Sequence, residues 1–77
     1  MEPFIGQIQT FAFGFAPQGW LPCDGRLLEI QQYTALYELL GTLYGGNGQT
    51  TFGIPKIPPI APQGPSYFIC IQGAFPQ

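Results

Sequence analysis

Histidine is absent from this 77-residue sequence. That removes the commonest general base and the commonest nitrogen ligand for a metal. Serine occurs once, at Ser66, with no base beside it to activate the hydroxyl. The carboxylates Glu2, Asp24, Glu29 and Glu38 show no spacing that suggests an acid/base dyad. Basic residues are reduced to Arg26 and Lys56, too few for a phosphate-neutralising patch, so nucleic acid is not an expected partner. No apolar run approaches the ~20 residues of a membrane span. The N-terminal MEPFIGQI has an acidic second residue and no basic region, unlike a secretory leader, so synthesis in the cytoplasm without a signal peptide is expected. Cys23 and Cys70 are the only cysteines and match no zinc spacing. They read as two small buried hydrophobes, with a Cys23–Cys70 bridge as the alternative. Asp24 beside Cys23 raises rather than lowers a thiol pKa, so a Cys23 nucleophile has little support. No catalytic, cofactor-binding or metal-binding residue is expected, and the protein does not read as an enzyme.

What is present is apolar. Hydrophobic residues make up 45% of the chain and charged residues 8%, against about 25% charged in an ordinary domain. A domain this small buries only roughly 60% of the surface its unfolded chain exposes. Part of the apolar surface is therefore expected to face another copy or another protein. The alternative is a monomer with an apolar skin.

Hydrophobic periodicity divides the chain into short elements. Residues 4–15, FIGQIQTFAFGF, predict a strand with Phe11, Phe13 and Phe15 on one face. Ile5 and Ile8 are out of phase, which a kink or bulge near Gly6 would reconcile. Ala16-Pro17-Gln18-Gly19 is a turn. In GWLPCDG, Trp20, Leu21 and Cys23 suit a short strand that Pro22 confines to an edge. Asp24-Gly25 is a type I′ hairpin signal, with 26–30 as the return strand carrying Leu28 and Ile30. Residues 31–40 predict a three-turn helix whose stripe is Tyr33, Leu36, Tyr37 and Leu40, closed by Gly41. Residues 41–53 are rich in Gly, Asn and Thr. They lack the lysine of a phosphate loop and the strand–turn–helix context of a dinucleotide fingerprint. They read as tight turns with Tyr44 and Phe52 as inward anchors. Residues 54–65 hold Pro55, Pro58, Pro59, Pro62 and Pro65, and predict an extended crossing pinned by Ile54, Ile57 and Ile60. A recognition segment for an aromatic groove is the alternative. Residues 66–75 predict a final strand, with Tyr67, Ile69 and Ile71 on one face and Phe68 and Cys70 on the other. Two apolar faces imply a central strand, part of whose cover is expected from a second chain.

These stretches together resemble a known family. IGQI near the start, then FAPQGWLPCDGRLL, then TALYELLGTLYGGNGQTTFGIP, and finally YFICIQGAFPQ, are similar to the phage tail collar domain. The small proteins concerned are often called microcystin-dependent protein-like, and the resemblance covers nearly the whole chain. It implies a single α+β domain over residues 1–77, with short antiparallel strands, one helix and Gly-rich and Pro-rich loops. It implies fold-forming roles for Trp20, Cys23, Asp24, Gly25, Leu36, Leu40, Gly45, Gly46, Gly48 and Phe52, with Thr50 and Thr51 helping to shape the loop. It implies assembly as trimers or longer fibres in a virion, tail-like particle or extracellular fibre.

The chain departs from the family pattern in three places. IPKIPPIAPQGP stands where members usually continue with a Pro-Asp-Leu-Arg-Gly-Arg-type motif. The variable insertion with His-Thr-His-like segments is missing, so receptor reading and metal binding by that insertion are not carried over. Gln31 stands where a Ser or Asn usually caps the helix. The expected function is a structural, self-assembling subunit, with Phe4, Ile5, Ile57, Ile60, Phe68 and Phe75 as the assembly interface. Expected partners are copies of the same chain and other tail-like particle proteins. The alternative is a small carbohydrate- or receptor-binding module that stacks ligands on Tyr33, Tyr37, Tyr44 or Tyr67.

Overall fold

The computed structural model describes residues 2–62 and 64–76. In chain order its elements are β1 (Ile8–Phe11), β2 (Trp20–Pro22), β3 (Leu27–Glu29), α1 (Thr34–Leu40), β4 (Thr51–Gly53) and β5 (Ser66–Cys70). They form a small α+β fold with two antiparallel sheets, one ordered β1-β5-β2 and the other pairing β3 with β4.

β5 is central, as its two apolar faces predict. Ile8 lies opposite Ile69 and Phe11 opposite Ser66 on one side, while Trp20 lies opposite Cys70 and Pro22 opposite Phe68 on the other. Phe68, Ile69 and Cys70 are all buried within the one chain. Their cover therefore does not come from a second chain, contrary to expectation. One face of β5 meets the core of Cys23, Leu28, Leu36, Phe52, Ile54 and Ile69. On the other face Phe68 packs on Phe11 at 5.4 Å between ring centres, and Phe11 meets Trp20 edge-on at 5.1 Å.

The N-terminal strand is shorter than 4–15. At its start the Gly6 N–H donates to the Cys70 carbonyl and the Cys70 N–H donates to the Gln7 carbonyl, each at 2.9 Å. Two residues thus oppose one, which is a bulge, and Gly6 supplies the φ of +87° that it requires. This shift lets Ile5 pack on the core despite its phase. After Phe11 the chain bends away, yet the period-two rings stay stacked. Phe11–Phe13 and Phe13–Phe15 are 5.3 and 4.7 Å apart.

Asp24-Gly25 does not close a hairpin. β2 pairs with β5 and β3 pairs with β4, so this turn carries the chain from one sheet to the other. A type I′ turn needs positive φ at both central residues. Among the described residues only glycines have it, Gly25 at +81°. The partner of segment 23–26 is instead the start of the proline-rich crossing. The Ile57 N–H donates to the Cys23 carbonyl at 2.9 Å and the Ile54 N–H to the Arg26 carbonyl at 3.2 Å. Ile54 and Pro55 are buried and Ile57 is half-buried, so the segment lies on its own subunit. Ile60 does not pin it, being 61% exposed.

The helix spans seven residues, two turns rather than three. Residues 30–33 leave β3 through a tight turn in which the Gln32 and Tyr33 N–H groups both donate to the Glu29 carbonyl at 3.2 Å. Gln31 offers no cap, and Tyr33 at the N-cap makes no side-chain hydrogen bond to the helix. The stripe itself points inward. Leu36 is buried, and Tyr33, Tyr37 and Leu40 pack against the core. Gly41 closes the helix with φ +56° and donates to the Tyr37 carbonyl at 2.7 Å.

The glycine-rich loop folds back on β4. A Cβ at Gly46 would lie 2.5 Å from the Thr51 carbonyl oxygen and 2.7 Å from the Phe52 nitrogen, and Gly46 has φ +91°. At Gly53 a Cβ would run into the Tyr44 carbonyl group, whose carbon lies 2.9 Å away. Tyr44 thus contributes its backbone to this contact. The residue is 45% exposed and is not the inward anchor the sequence suggests, whereas Phe52 is fully buried. Asn47 ties the loop together. Its Oδ1 accepts from the N–H groups of Gln49, Thr50 and Thr51 at 2.8, 2.8 and 3.1 Å.

Gly46→Ala is expected to destabilise the fold by about 2 kcal/mol or more, since both the left-handed backbone and the space forbid a Cβ. For a domain of this size that lowers Tm by roughly 10 °C. Gly14→Ala, where nothing lies within 4 Å of the new methyl, should shift Tm by no more than a few degrees. Paired thermal melts followed by circular dichroism check both.

Candidate assembly surface

The groups able to do chemistry are few and locked. Cys23 and Cys70 are free thiols, both buried. They do not bridge because they lie on opposite faces of the same sheet. Cys70 pairs with Trp20 on the Phe68 face, while Cys23 follows β2 on the Ile69 face and belongs to the core. Burial, helped by the charge of Asp24, pushes the Cys23 thiol up to about 11. Burial also raises Cys70, whose thiol donates to the Gln72 carbonyl at 3.1 Å. Neither has the character of a nucleophile.

Asp24 serves the turn. Its Oδ1 accepts from the Arg26 N–H at 3.2 Å, and Oδ2 meets Arg26 Nη2 at 2.7 Å. The Arg26 side chain holds this carboxyl below the usual range. The stability it contributes is therefore present above the ordinary carboxylate pKa and lost as pH falls through the lowered one. With both side chains nearly half exposed, the pair contributes little. Among the described residues no three His, Cys, Asp or Glu side chains gather as a metal site, and no helix is long and apolar enough to cross a membrane. An apolar groove of about 330 Å³ runs between the crossing and the first sheet, lined by Pro22, Cys23, Ile57, Pro58, Pro59 and Tyr67 among others.

The surface is more informative. Large apolar side chains stand exposed along much of the chain, among them Leu43 (76%), Phe15 (67%) and Phe4 (53%). Of the expected interface residues, Phe4, Ile60 and Phe75 are exposed. The structure brings two of them together, because Phe4 bridges to Ala74 beside Phe75. Ile5 and Ile57 are half-buried against their own core. Phe68 is only 2% exposed and is unavailable as an interface residue. Of the remaining expected positions, Trp20 is half-buried between strand and aromatic stack, while Gly45 and Gly48 carry φ of +122° and +75° in the loop. Ile8 and Phe15 of the N-terminal strand, expected to contribute to assembly, are exposed, whereas sequence reasoning passed over Leu43 and Leu27, which are exposed too. Leu43 follows the helix-closing Gly41 and falls outside the stripe, which was a readable sign.

Fold and surface define a small α+β module with large apolar side chains exposed. The phage tail collar domain model matches residues 6–58, and the chain belongs to that family. The match ends before β5, so the strand that completes the first sheet lies beyond it. Protein RhiB of Rhizobium leguminosarum bv. viciae is a relative, 49% identical over 41 residues, which is 49% of this chain and 19% of RhiB. The chain thus spans about a fifth of the curated relative it matches. No solved structure matches significantly.

The thiols supply a test. At pH 8 a thiol with a pKa of about 11 holds roughly 100-fold less thiolate than an ordinary one. Iodoacetamide should leave native Cys23 and Cys70 unmodified over an hour and label both in guanidinium chloride. Intact-mass spectrometry reads the difference, and rapid native labelling of Cys23 would contradict its burial.

Proposed function

We propose that residues 1–77 work as one collar-type structural module, a self-assembling subunit of a phage-tail-like fibre, filament or particle. The supporting observation is the mismatch between surface and charge. Ten large apolar side chains are exposed among the described residues, on a chain with only two cations and four anions. Leaving such surface in water is unfavourable by roughly 25 cal/mol per Å², and monomeric proteins rarely keep it in contiguous form. Copies of the same chain are the first partners, and other proteins of the same particle are the second. The working place is the particle or fibre itself.

A sugar- or receptor-binding module is the alternative, and it has less support. Tyr33, Tyr37 and Tyr67 pack against the core, and the Tyr37 hydroxyl donates to the Gly48 carbonyl at 3.2 Å. Tyr44 alone of the four stands exposed.

Purified protein at about 100 μM, a concentration where weak interfaces fill, is expected to run as a multiple of its 8.4 kDa chain mass. Filaments or discrete particles should be visible by negative-stain electron microscopy. Replacing the exposed neighbours Phe4 and Phe75 together by serine should lower the assembled fraction at least tenfold without shifting Tm by more than a few degrees. A single-chain mass for the unmodified protein at that concentration would overturn the reading.

A further inference from the structure

The two edges of the first sheet are unequal, and the inequality identifies an interface. At the β2 edge, Leu21 lies opposite Ile69 and points its backbone groups inward to β5. Trp20 and Pro22 therefore point theirs outward. The Trp20 N–H is already bonded to the Pro17 carbonyl at 3.0 Å, Pro22 has no N–H, and its carbonyl accepts from Asp24 at 2.9 Å. That edge is closed to another strand.

At the β1 edge the bulge sets the phase. Gln7 is bonded to Cys70, so by antiparallel alternation Gln9 and Phe11 bond inward to Phe68 and Ser66. Ile8 and Thr10 point both their N–H and C=O groups outward. Among the described residues no backbone or side-chain group bonds to these four. Both residues are exposed. Charge, proline and a bulge within the strand are three of the devices that protect a sheet edge. None operates here. The Gly6 bulge lies before Ile8, and no charged residue occurs between Glu2 and Asp24.

We propose that the β1 edge pairs antiparallel with the β1 edge of a second copy, in the register that places Gln9 opposite Gln9. The inference rests on the self-assembly reading above and names its interface. This register satisfies all four outward groups of each copy. The Ile8 N–H donates to the Thr10 carbonyl of the second copy and the Thr10 N–H to its Ile8 carbonyl, and the two-fold axis repeats both bonds. Shifting the axis to Ile8 or Thr10 pairs that residue with itself and takes the other away from its complement. On the core-side face, Ile8 comes beside Thr10 of the second copy, a favourable pair of β-branched side chains. The neutral Gln9 side chains meet across the axis without repulsion. The result is one six-stranded sheet. A second copy fits this edge better than a charged peptide, because the edge offers no charge for such a peptide to read.

The test uses the position at the axis. Gln9 is exposed and among the described residues its side chain makes one hydrogen bond, accepting from Gln7 Nε2 at 3.3 Å, so charging it is expected to leave the fold intact. Gln9→Lys and Gln9→Glu each place like charges directly opposite one another. Each variant alone is expected to lower the mass of the assembled species at least twofold in sedimentation or native mass spectrometry. Mixing the two at equal concentration should restore the original mass, with the two variants present in equal numbers. If the unmodified protein assembles and both variants keep its mass, the β1 pairing is wrong while the self-assembly reading stands. If the unmodified protein is a single chain at about 100 μM, both fall, and the open edge belongs to an extended strand of a different protein.

Discussion

The structure depends on the pairing of β5 along both of its sides. Ser66–Cys70 comes last in the chain yet joins β1 and β2, which precede it by more than forty residues. Without it neither early strand has a partner, since β1 and β2 do not touch each other in the sheet. The strand can occupy the centre because it is apolar on both faces. Tyr67 and Ile69 face the helix and the second sheet, and Phe68 faces the Phe11–Trp20 cluster. A strand with one polar face would have left buried polar groups unpaired at a cost of about 1–3 kcal/mol each. Here no buried side-chain polar atom among the described residues lacks a partner.

A second contact of a different kind holds the other half. The loop after the helix buries no side chain of its own against β4. It packs by backbone on backbone, and only glycine at 46 and 53 lets the chains approach that closely. The approach seats Phe52 in the middle of the core, and the Gly53 N–H bonds to the Gly45 carbonyl at 3.0 Å. The helix docks on that core through Leu36, with Tyr37 against Phe52, which explains how an element of two turns persists at all. Membership of the tail collar family fits this economy. The interior takes Phe52, Leu36, Ile54, Ile69 and Cys70, and what remains apolar has nowhere to go except outward.

How much of this was legible in the sequence follows from what each signal measures. The alternation in SYFICIQ reports two covered faces, and the centrality of β5 could be read from it directly. The Ile5–Ile8 phase break reports an inserted residue, and the bulge was found at Gly6. Pro22 marked an edge because a missing donor is a local fact. The Asp-Gly pair misled because turn chemistry states that the chain reverses and not which strand it then meets. β3 found β4 twenty residues on, while the Cys23–Arg26 backbone met Ile54 and Ile57. Tyr44 misled because hydrophobicity counts side chains, and at that residue the backbone makes the contact. Phe68 was misassigned to the interface for the same reason that β5 was placed correctly. A fully apolar strand says that something covers it and does not say whether the cover is its own. The inequality of the two sheet edges was hidden, since it exists only once the register is known.

The corner where Asp24 stands holds both cations of the molecule. Arg26 is bound to its carboxylate, and Lys56 faces it across a backbone bridge, its methylenes lying 3.0–3.4 Å from where a side chain at Gly25 would begin. A digestive protease that reads basic side chains therefore finds two addresses on the whole chain, both in one place. Each is fastened to the other through the Ile54 and Ile57 hydrogen bonds. Cutting needs an extended, loosened segment, so this corner would have to unravel before either bond could enter such an enzyme. To a protease of that one specificity the folded module offers little to grip, because its only two basic side chains sit in the same hydrogen-bonded corner around Asp24.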